Sequence, residues 1–375
     1  MKILFAGGGS AGHLTPIIAI VREIRRIYQK SDLEFHFIGP KDEFGEILLS
    51  QEGIKIKQII SGKIRRYFTW KTILQNISDI LFKIPVGILQ SFFYIFFLGP
   101  DLIFSKGGHG SIAPVFAGRI LFVPIFIHES DTVPGAANKF LNGFALEIFT
   151  SFPKTQHFPL KKMILVGNPI RRELMDGQKE EARFFFKTAT QKPVLLILGG
   201  SQGAQRINEK ILEALPQLLE NFEIIHQCGE KNYSQVKSEV KIIISGEPEK
   251  SYHLFSFLKE PELKKAYVIS DIILSRAGAN SIFEIAAIGK PSILVPLPEA
   301  AQNHQVKNAY EYSENGACLV FEEENFTANF FLAKLKYLFF HTNELNLMAQ
   351  KAKEFSRPEA GRIIASYIIS YLTAK

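Results

Sequence analysis

The feature of this sequence that most restricts its fold is one local arrangement that occurs twice. The apolar run Lys2–Ala6 opens into Gly7-Gly8-Gly9-Ser10-Ala11-Gly12, and Val194–Leu198 opens into Gly199-Gly200-Ser201-Gln202-Gly203. Each glycine-rich stretch leads into a segment with helical spacing of apolar residues. A buried strand, a tight turn and a helix in succession begin a βαβ unit, which commits the sheet to parallel strands with helices on both faces. The pattern then continues. Strand-like runs at Glu34–Ile38, Asp101–Ser105, Pro124–His128 and Glu147–Ser151, and later at Pro193–Leu198, Glu223–His226, Asp271–Ser275, Ser292–Val295 and Ala317–Phe321, alternate with helical stretches such as Leu14–Tyr28, Ile112–Leu121, Ala204–Leu219 and Ala279–Ile288. Two openings in 375 residues predict two Rossmann-like halves. Their boundary is expected near Asn168-Pro169-Ile170-Arg171 or in the polar stretch to Lys192. The last helix, Pro358–Leu372, follows every second-half strand and can pack on either half.

Charge divides along the same line. Residues 1–168 hold 19 Lys/Arg against 12 Asp/Glu, whereas residues 169–375 hold 25 of each, so the net +7 lies wholly in the first half. Such asymmetry points to nucleic acid, an acidic substrate or an anionic membrane surface. The two cysteines, Cys228 and Cys318, do not make a disulfide framework and fit a reducing cytoplasm. The apolar run at the N-terminus is too short for a signal-peptide core.

Gly7, Gly9 and Gly12 match the dinucleotide-binding spacing after a strand. A nicotinamide cofactor would also require an acid ending the second strand, yet that strand ends Phe37-Ile38-Gly39-Pro40 with no acid before Asp42. What remains is a backbone cradle at a helix N-terminus, suited to phosphate, sugar hydroxyls or a developing anion. His13 follows it at the C-terminal edge of the predicted sheet, where a positive helix end favours neutral imidazole able to accept a proton. In the second half, Arg276-Ala277-Gly278-Ala279-Asn280-Ser281-Ile282-Phe283-Glu284 again leaves a strand for a helix. Ser281 and Glu284 fit either a capping box or a phosphate-binding helix start with Glu284 accepting from ribose hydroxyls. Gln302-Asn303-His304-Gln305 and Asn308 form an amide-rich helix opening, either a sugar-binding element or an ordinary polar helix start.

Taken in order, Gly7–Leu14, Lys106-Gly107-Gly108, His128-Glu129-Ser130-Asp131, Gly167–Arg171, Gly199–Ala204, Arg276–Glu284 and Asn303–Asn308 give the sequence a resemblance, over nearly its whole length, to the MurG family. These are UDP-N-acetylglucosamine:N-acetylmuramyl-(pentapeptide) pyrophosphoryl-undecaprenol N-acetylglucosaminyltransferases. The resemblance implies an α/β GT-B glycosyltransferase of two Rossmann-like parallel-sheet domains facing a central cleft. Residues 1–168, joined by the helix at 358–375, would bind acceptor and membrane, and residues 169–357 would bind UDP-GlcNAc. Carried over by position, donor contacts fall on Ser10, Ala11, Gly12, Asp131, Arg171, Ser201, Phe257, Leu258, Ala279, Asn280, Ser281, Ile282, Phe283, Glu284 and Gln305. Arg171 suits a diphosphate, the backbone of Leu258 the uracil edge, and Phe257 a stacking role. Gly107, Gly108, His109 and Asn138 fall on the acceptor side. His13 is the expected catalytic base, with Glu129 as the other candidate. The sequence departs from the family pattern at Ser10-Ala11-Gly12-His13, where Thr-Gly-Gly-His is usual, at Asp131, where several relatives have Asn, and at His109, where an aromatic is common.

The basic excess is concentrated in residues 54–98, where Lys55, Lys57, Lys63, Arg65, Arg66, Lys71 and Lys83 face a single acid, Asp79. Trp70, Ile73, Leu74, Ile77, Ile80, Leu81 and Ile84 follow helical spacing, and part of this stretch is expected to pack into the core. Ile84–Leu98 is too short for a span and is interrupted by Pro85 and Gln90. With an undecaprenyl substrate implied, Arg65, Arg66, Phe68, Trp70 and Lys71 read as an interfacial patch for anionic inner-leaflet phospholipids on the cytoplasmic face of the bacterial membrane. The expected reaction is inverting transfer of GlcNAc from UDP-GlcNAc to the C4 hydroxyl of undecaprenyl-pyrophosphoryl-MurNAc-pentapeptide, lipid I to lipid II. No cofactor and no metal ligands are expected, divalent assistance staying open, and no nucleic-acid partner. A UDP-sugar 2-epimerase, a diacylglycerol-type glycosyltransferase and a non-catalytic nucleic-acid- or membrane-binding protein are the competing readings.

Overall fold

The computed structural model describes every residue except 9, 10, 31, 66–68, 189–190, 201–202, 245–249 and 375, and it describes Ala11 by its backbone alone. The chain forms two compact units, residues 1–171 with 358–375, and residues 172–357. The first unit runs β1 (Lys2–Ala6), α1 (Ala11–Ile27), β2 (Glu34–Gly39), α2 (Glu43–Gln51), β3 (Lys55–Gln58), α3 (Trp70–Ser78), α4 (Ile84–Leu98), β4 (Leu102–Ser105), α5 (Ile112–Ile120), β5 (Ile125–Glu129), α6 (Ala136–Leu141), β6 (Glu147–Thr150) and β7 (Met163–Leu165). Its strands lie in the order β3-β2-β1-β4-β5-β6-β7, all parallel. The second unit runs α7 (Lys179–Phe186), β8 (Val194–Leu198), α8 (Gln205–Asn221), β9 (Glu223–Gln227), α9 (Tyr233–Ile243), β10 (Tyr252–Phe255), α10 (Glu260–Ile269), β11 (Ile272–Ser275), α11 (Ala279–Ile288), β12 (Ser292–Leu294), α12 (His304–Ser313), β13 (Cys318–Val320), α13 (Ala328–Phe340) and α14 (Thr342–Phe355). Its parallel sheet has the order β10-β9-β8-β11-β12-β13. Both sheets therefore reverse winding beside their first strand, between β1 and β4 and between β8 and β11. Open α/β sheets bind ligands at the carboxyl ends of the strands at such a point, and both glycine-rich turns leave those ends.

Central strands such as β1, from Ile3 on, and β8 are apolar because both their faces are covered. Ile3 and Phe5 of β1 join a core with Ile17, Val21 and Ile24 of α1, while Leu4 and Ala6 join one with Ile95 of α4 and Val115 of α5. In β8, Leu195 and Ile197 face α8, and Val194, Leu196 and Leu198 pack with Ala182 and Phe186 of α7. The final helix, α15 (Ala360–Thr373), belongs to the first unit. Ile364 and Ile368 enter the α1 core. Tyr367 lies edge-on to Phe126 and Phe149 and its hydroxyl donates to Glu147 at 2.7 Å.

Three local features depart from expectation. Strand β3 is added at one edge and β7 at the other. Lys55-Ile56-Lys57-Gln58 is mostly solvated, so it lacks the apolar signature of the buried strands, and β7 is only three residues long. The segment Trp70–Leu98 is one continuous helical run of 29 residues, long and apolar enough by length and composition to cross a membrane. Pro85 does not interrupt it: Asp79–Lys83 adopts a π-helical turn, and Pro85 stands in the first turn of α4, where its missing N–H is tolerated. Its α4 part is held to the unit by packing on α5, Ile95 sharing a core with Ala113 and Val115, and at Ile60, where Gly87 lies against the carbonyl and the Gln90 side chain accepts from the N–H at 2.8 Å.

Candidate functional site

Each unit carries its own site elements. In the first, the turn after β1 meets the turn after β4 backbone to backbone. A side-chain carbon on Gly8 would lie 3.2 Å from the Gly108 Cα, and one on Gly108 would lie 3.1 Å from both Gly8 Cα and His13 Nε2. Gly107 and Gly108 also have φ of +83° and +78°, a region glycine enters without strain. His13, in the first turn of α1, is thereby brought against Gly108. Its ring hydrogen-bonds the Gly8 backbone, and burial, reinforced by Lys106, holds its pKa down at about 4 against the opposing pull of Asp131. The sequence argument expected neutrality from the helix end; packing is the larger cause.

Asn138 of α6 reaches the same edge. A carbon on Gly107 would sit 2.8 Å from its amide, and its Nδ2 donates to the His128 carbonyl at 3.1 Å and to Glu129 Oε2 at 2.9 Å. Glu129 is buried at 4% exposure. Its Oε1 accepts from the Asp131 N–H at 3.1 Å, and its Oε2 also accepts from the Gly135 N–H at 3.0 Å. Burial and Asp131 push its pKa up, and both oxygens accept bonds that shape the 131–135 loop. His109 is half-buried, and its carbonyl accepts from Ser61 Oγ at 3.3 Å. Asp131 and Arg171 are half-buried in the first unit. Gly12 is exposed in the first turn of α1; Ser10 and the Ala11 side chain lie outside the described residues.

Sequence reasoning gave no role to Lys106. This lysine is 3% exposed; its Nζ donates to Ser130 Oγ, which in turn donates to Asn168 Oδ1 at 3.0 Å. Burial lowers its pKa to about 8, with Glu129 and Asp131 pulling the other way. A lysine ending a buried strand immediately before two glycines was the only available sign.

In the second unit, Gly200 and Gly203 have φ of +78° and +80°, and a carbon on Gly203 would fall 2.7 Å from the Cys228 carbonyl. Ser201, between them, lies outside the described residues. Helix α11 begins after Gly278 as N-cap, so Ala279, Asn280 and Ser281 occupy its first turn, where backbone N–H groups point toward the helix N-terminus. Ser281 is thus not a cap, and the capping-box reading fails. Glu284 sits in the second turn, 8% exposed, and accepts from the Tyr267 hydroxyl at 2.9 Å. Ile282 and Phe283 are 0% and 2% exposed, Phe283 packing on Phe355, so their side chains belong to the core. Leu258 is likewise buried, and its N–H is already taken by Gln227 Oε1 at 3.0 Å, a correction to the expectation that it stands open to a base; Phe257 beside it is half-buried. Gln305 Oε1 accepts from the Leu297 N–H at 3.1 Å, and Asn308 Nδ2 donates to the Ala277 carbonyl at 3.3 Å. These amides shape the loops around the α11 N-terminus.

The basic patch has its own scaffold. Burial works to raise the Asp79 pKa, but Lys83, the Lys63 N–H and Arg65 together hold it down at about 2; Arg65 and Lys83 pair with it at 2.9 and 2.6 Å. Asn76 adds a reciprocal pair with the Arg65 backbone at 2.9 and 2.7 Å. Trp70 is 84% exposed and Leu74, Leu81 and Phe82 are 61–66% exposed, so the α3 stripe is solvent-facing, while the core part expected of residues 54–98 is supplied by Ile54, Ile59 and Ile95. Lys71 is exposed; Arg66 and Phe68 lie outside the described residues. Among the described residues no group of three His, Cys, Asp or Glu is arranged to hold a metal ion.

Residues 3–150 match the glycosyltransferase family 28 N-terminal domain and residues 194–362 the family 28 C-terminal domain. A Bacillus cereus protein named UDP-N-acetylglucosamine--N-acetylmuramyl-(pentapeptide) pyrophosphoryl-undecaprenol N-acetylglucosamine transferase 2 is 36% identical over 374 residues, 99% of each chain. A Clostridium tetani transferase of the same description is 38% identical over 340 residues, 90% of each chain. The chain belongs to the MurG family. The crystal structure of Acinetobacter baumannii MurG superposes with a TM-score of 0.73 at 25% identity, covering 98% of this chain and 99% of that one, and the architecture is the GT-B fold. A UDP-GlcNAc 2-epimerase from Neisseria meningitidis, bound to UDP-GlcNAc, reaches a TM-score of 0.68 at 15% identity, covering 99% and 100%, a likeness of fold alone.

Within this member of the family, Asn138 is the side chain that joins the Gly107 turn to the Glu129 carboxylate. Asn138→Ala removes a bond to a charged acceptor and is expected to lower stability by about 1.5–3 kcal/mol. Urea unfolding measures this; a loss below ~0.5 kcal/mol would show that the Glu129 bond holds nothing together.

Proposed function

We propose that this chain is an inverting N-acetylglucosaminyltransferase that moves GlcNAc from UDP-GlcNAc to the C4 hydroxyl of undecaprenyl-pyrophosphoryl-MurNAc-pentapeptide, forming a β-1,4 bond in peptidoglycan synthesis. The observation that carries this is the near full-length match to transferases named for that reaction. In the single displacement, the acceptor oxygen attacks C1 of GlcNAc as its proton passes to a base, and the C1–oxygen bond to the diphosphate breaks. His13 is the base: a neutral ring at the edge of the first sheet, with a pKa near 4, is available to take a proton at neutral pH. The departing UDP carries negative charge, which the first-turn amides Ala279–Ser281, with Ser201, stabilise. Glu284, held by Tyr267, accepts from the ribose hydroxyls, and the 257–258 segment receives the uracil, which requires Gln227 to release the Leu258 N–H. No cofactor takes part.

Attachment is peripheral, on the cytoplasmic face of the cell membrane. An apolar helix exposing Trp70, Leu74 and Leu81 beside Arg65 and Lys71 suits burial at the boundary of anionic inner-leaflet phospholipids, and it gives an enzyme of a soluble sugar nucleotide, such as an epimerase, nothing to do. No nucleic acid is a partner.

Incubating the protein with UDP-GlcNAc and lipid I and weighing the product tests the reaction directly; GlcNAc-bearing lipid II is the expected product and N-acetylmannosamine would overturn the assignment. His13→Ala should lower kcat by roughly 10²–10⁴-fold with UDP binding near wild type; a kcat within threefold, in a folded variant, would remove His13 from the base role. Glu284→Ala should weaken UDP-GlcNAc at least ~10-fold by calorimetry, since each bond to its carboxylate is worth about 1.5–3 kcal/mol. Co-sedimentation should be strong with anionic vesicles, weak with neutral ones and reduced at 1 M salt, where the Debye length falls to about 3 Å; equal binding to both vesicle types would refute the patch.

A further inference from the structure

The carboxyl end of the second sheet carries an ion-pair network that the proposed chemistry does not use. Glu323, in the turn after β13, has a side chain only 6% exposed. One of its carboxylate oxygens pairs with Arg276 at the end of β11 and the other with Arg206 in the first turn of α8. Arg206 also pairs with Glu299 at 2.9 Å, and Arg276 Nη1 donates to the Val295 carbonyl at 3.1 Å. One buried carboxylate thus joins the segments that leave β8, β11 and β12.

The loop after β12 needs this support. It opens Pro296-Leu297-Pro298, so Leu297 supplies the one backbone N–H of the three, and Gln305 Oε1 accepts from it at 3.1 Å. A backbone so poor in donors is held by side chains or not at all. Further along, Gln302 and Asn303 both take left-handed backbone, with φ of +60° and +54°. Residues other than glycine keep such angles where their surroundings impose them, and they collect at ligand-binding elements. An ordinary polar helix start would require neither these angles nor a buried carboxylate behind them.

We propose that Glu323 is a positioning residue for the donor sugar: through Arg206 and Arg276 it holds the 296–303 loop in the shape that receives GlcNAc. The inference rests on the reading of the second unit as the donor site. The elements assigned to the diphosphate have separate anchors. The glycine turn after β8 is backed by Asn208 and Asn232, which donate to the Cys228 carbonyl at 3.0 and 3.1 Å, and α11 is seated by its buried Ile282 and Phe283. Loss of Glu323 therefore falls on the sugar end.

Glu323→Gln keeps the shape of the side chain and removes the charge that binds two guanidinium groups. It should raise KM for UDP-GlcNAc about tenfold and leave the calorimetric Kd for UDP, which has no sugar, within about twofold of wild type. Glu299→Gln removes the outer pair alone, at a side chain 53% exposed, and should raise the same KM about threefold; it decides the matter should Glu323→Gln fail to fold. Glu323→Gln combined with Arg206→Met should be no worse than the more harmful of the two alone, because both break one network. An unmoved KM in Glu323→Gln, or in Glu299→Gln where only that variant folds, overturns the proposal. So does a loss of UDP binding as large as the loss of UDP-GlcNAc binding, which would leave the network a brace of the fold. A wild-type protein that binds neither UDP nor UDP-GlcNAc overturns the donor reading itself, so the two fail separately.

Discussion

The contact on which the first unit's chemistry depends is one between two backbones. Gly8 and Gly108 approach so closely that a carbon added to either would lie 3.1–3.2 Å from the other's Cα and force it to shift, and that approach closes the switch point between β1 and β4. The packing that seats His13 against Gly108, and so keeps it uncharged, follows from it. So does the position of Gly107 over the Asn138 amide, which in turn fixes Glu129 and the loop to Asp131. A methyl group at Gly108 would be misplaced twice, by its neighbours and by its own φ of +78°.

The second unit solves a related problem with side chains. Its glycine turn after β8 is backed by amides: Asn208 and Asn232 both donate to the Cys228 carbonyl, at 3.0 and 3.1 Å. His226 bridges Asn208 and Tyr252 inside the sheet, where burial lowers its pKa to about 3. The Asn208 amide nitrogen is spent on Cys228, so its oxygen accepts from His226 Nε2–H and the other ring nitrogen accepts from the Tyr252 hydroxyl. This chain of neutral groups gives the turn a rigid floor without placing a charge beneath it.

Much of this was legible beforehand because buried parallel strands leave an unmistakable trace: runs such as Leu195–Leu198 are apolar on both faces, and the glycines after them have little structural alternative. Strand β3 was illegible because its lysines are solvated and its pairing is decided by β2, not by its own composition. The continuity of Trp70–Leu98 was hidden by Pro85, whose cost is absorbed by a π turn that no local spacing announces. The capping-box alternative fails because the helix begins at Ala279 after Gly278 as N-cap, earlier than the Ser281–Glu284 spacing would place it. The roles of Lys106, Gln227 and Tyr267 depend on partners 17 to 31 residues away, a separation over which sequence periodicity carries no information.

The edge strand β3 has a consequence for the behaviour of the protein in a crowded cell. A parallel sheet ending in an unpaired strand offers a row of free backbone groups, a template on which another chain can add. This edge lies in the same unit as a helix exposing Trp70 and several leucines, which would otherwise make self-association easy. Lys55 and Lys57 occupy the edge, Lys55 paired with Glu34 at 2.7 Å and Lys57 over the Tyr94 ring. Strand addition would require desolvating both cations. The two lysines thus act as a guard against aggregation, leaving the protein free to keep an oily helix exposed while unattached.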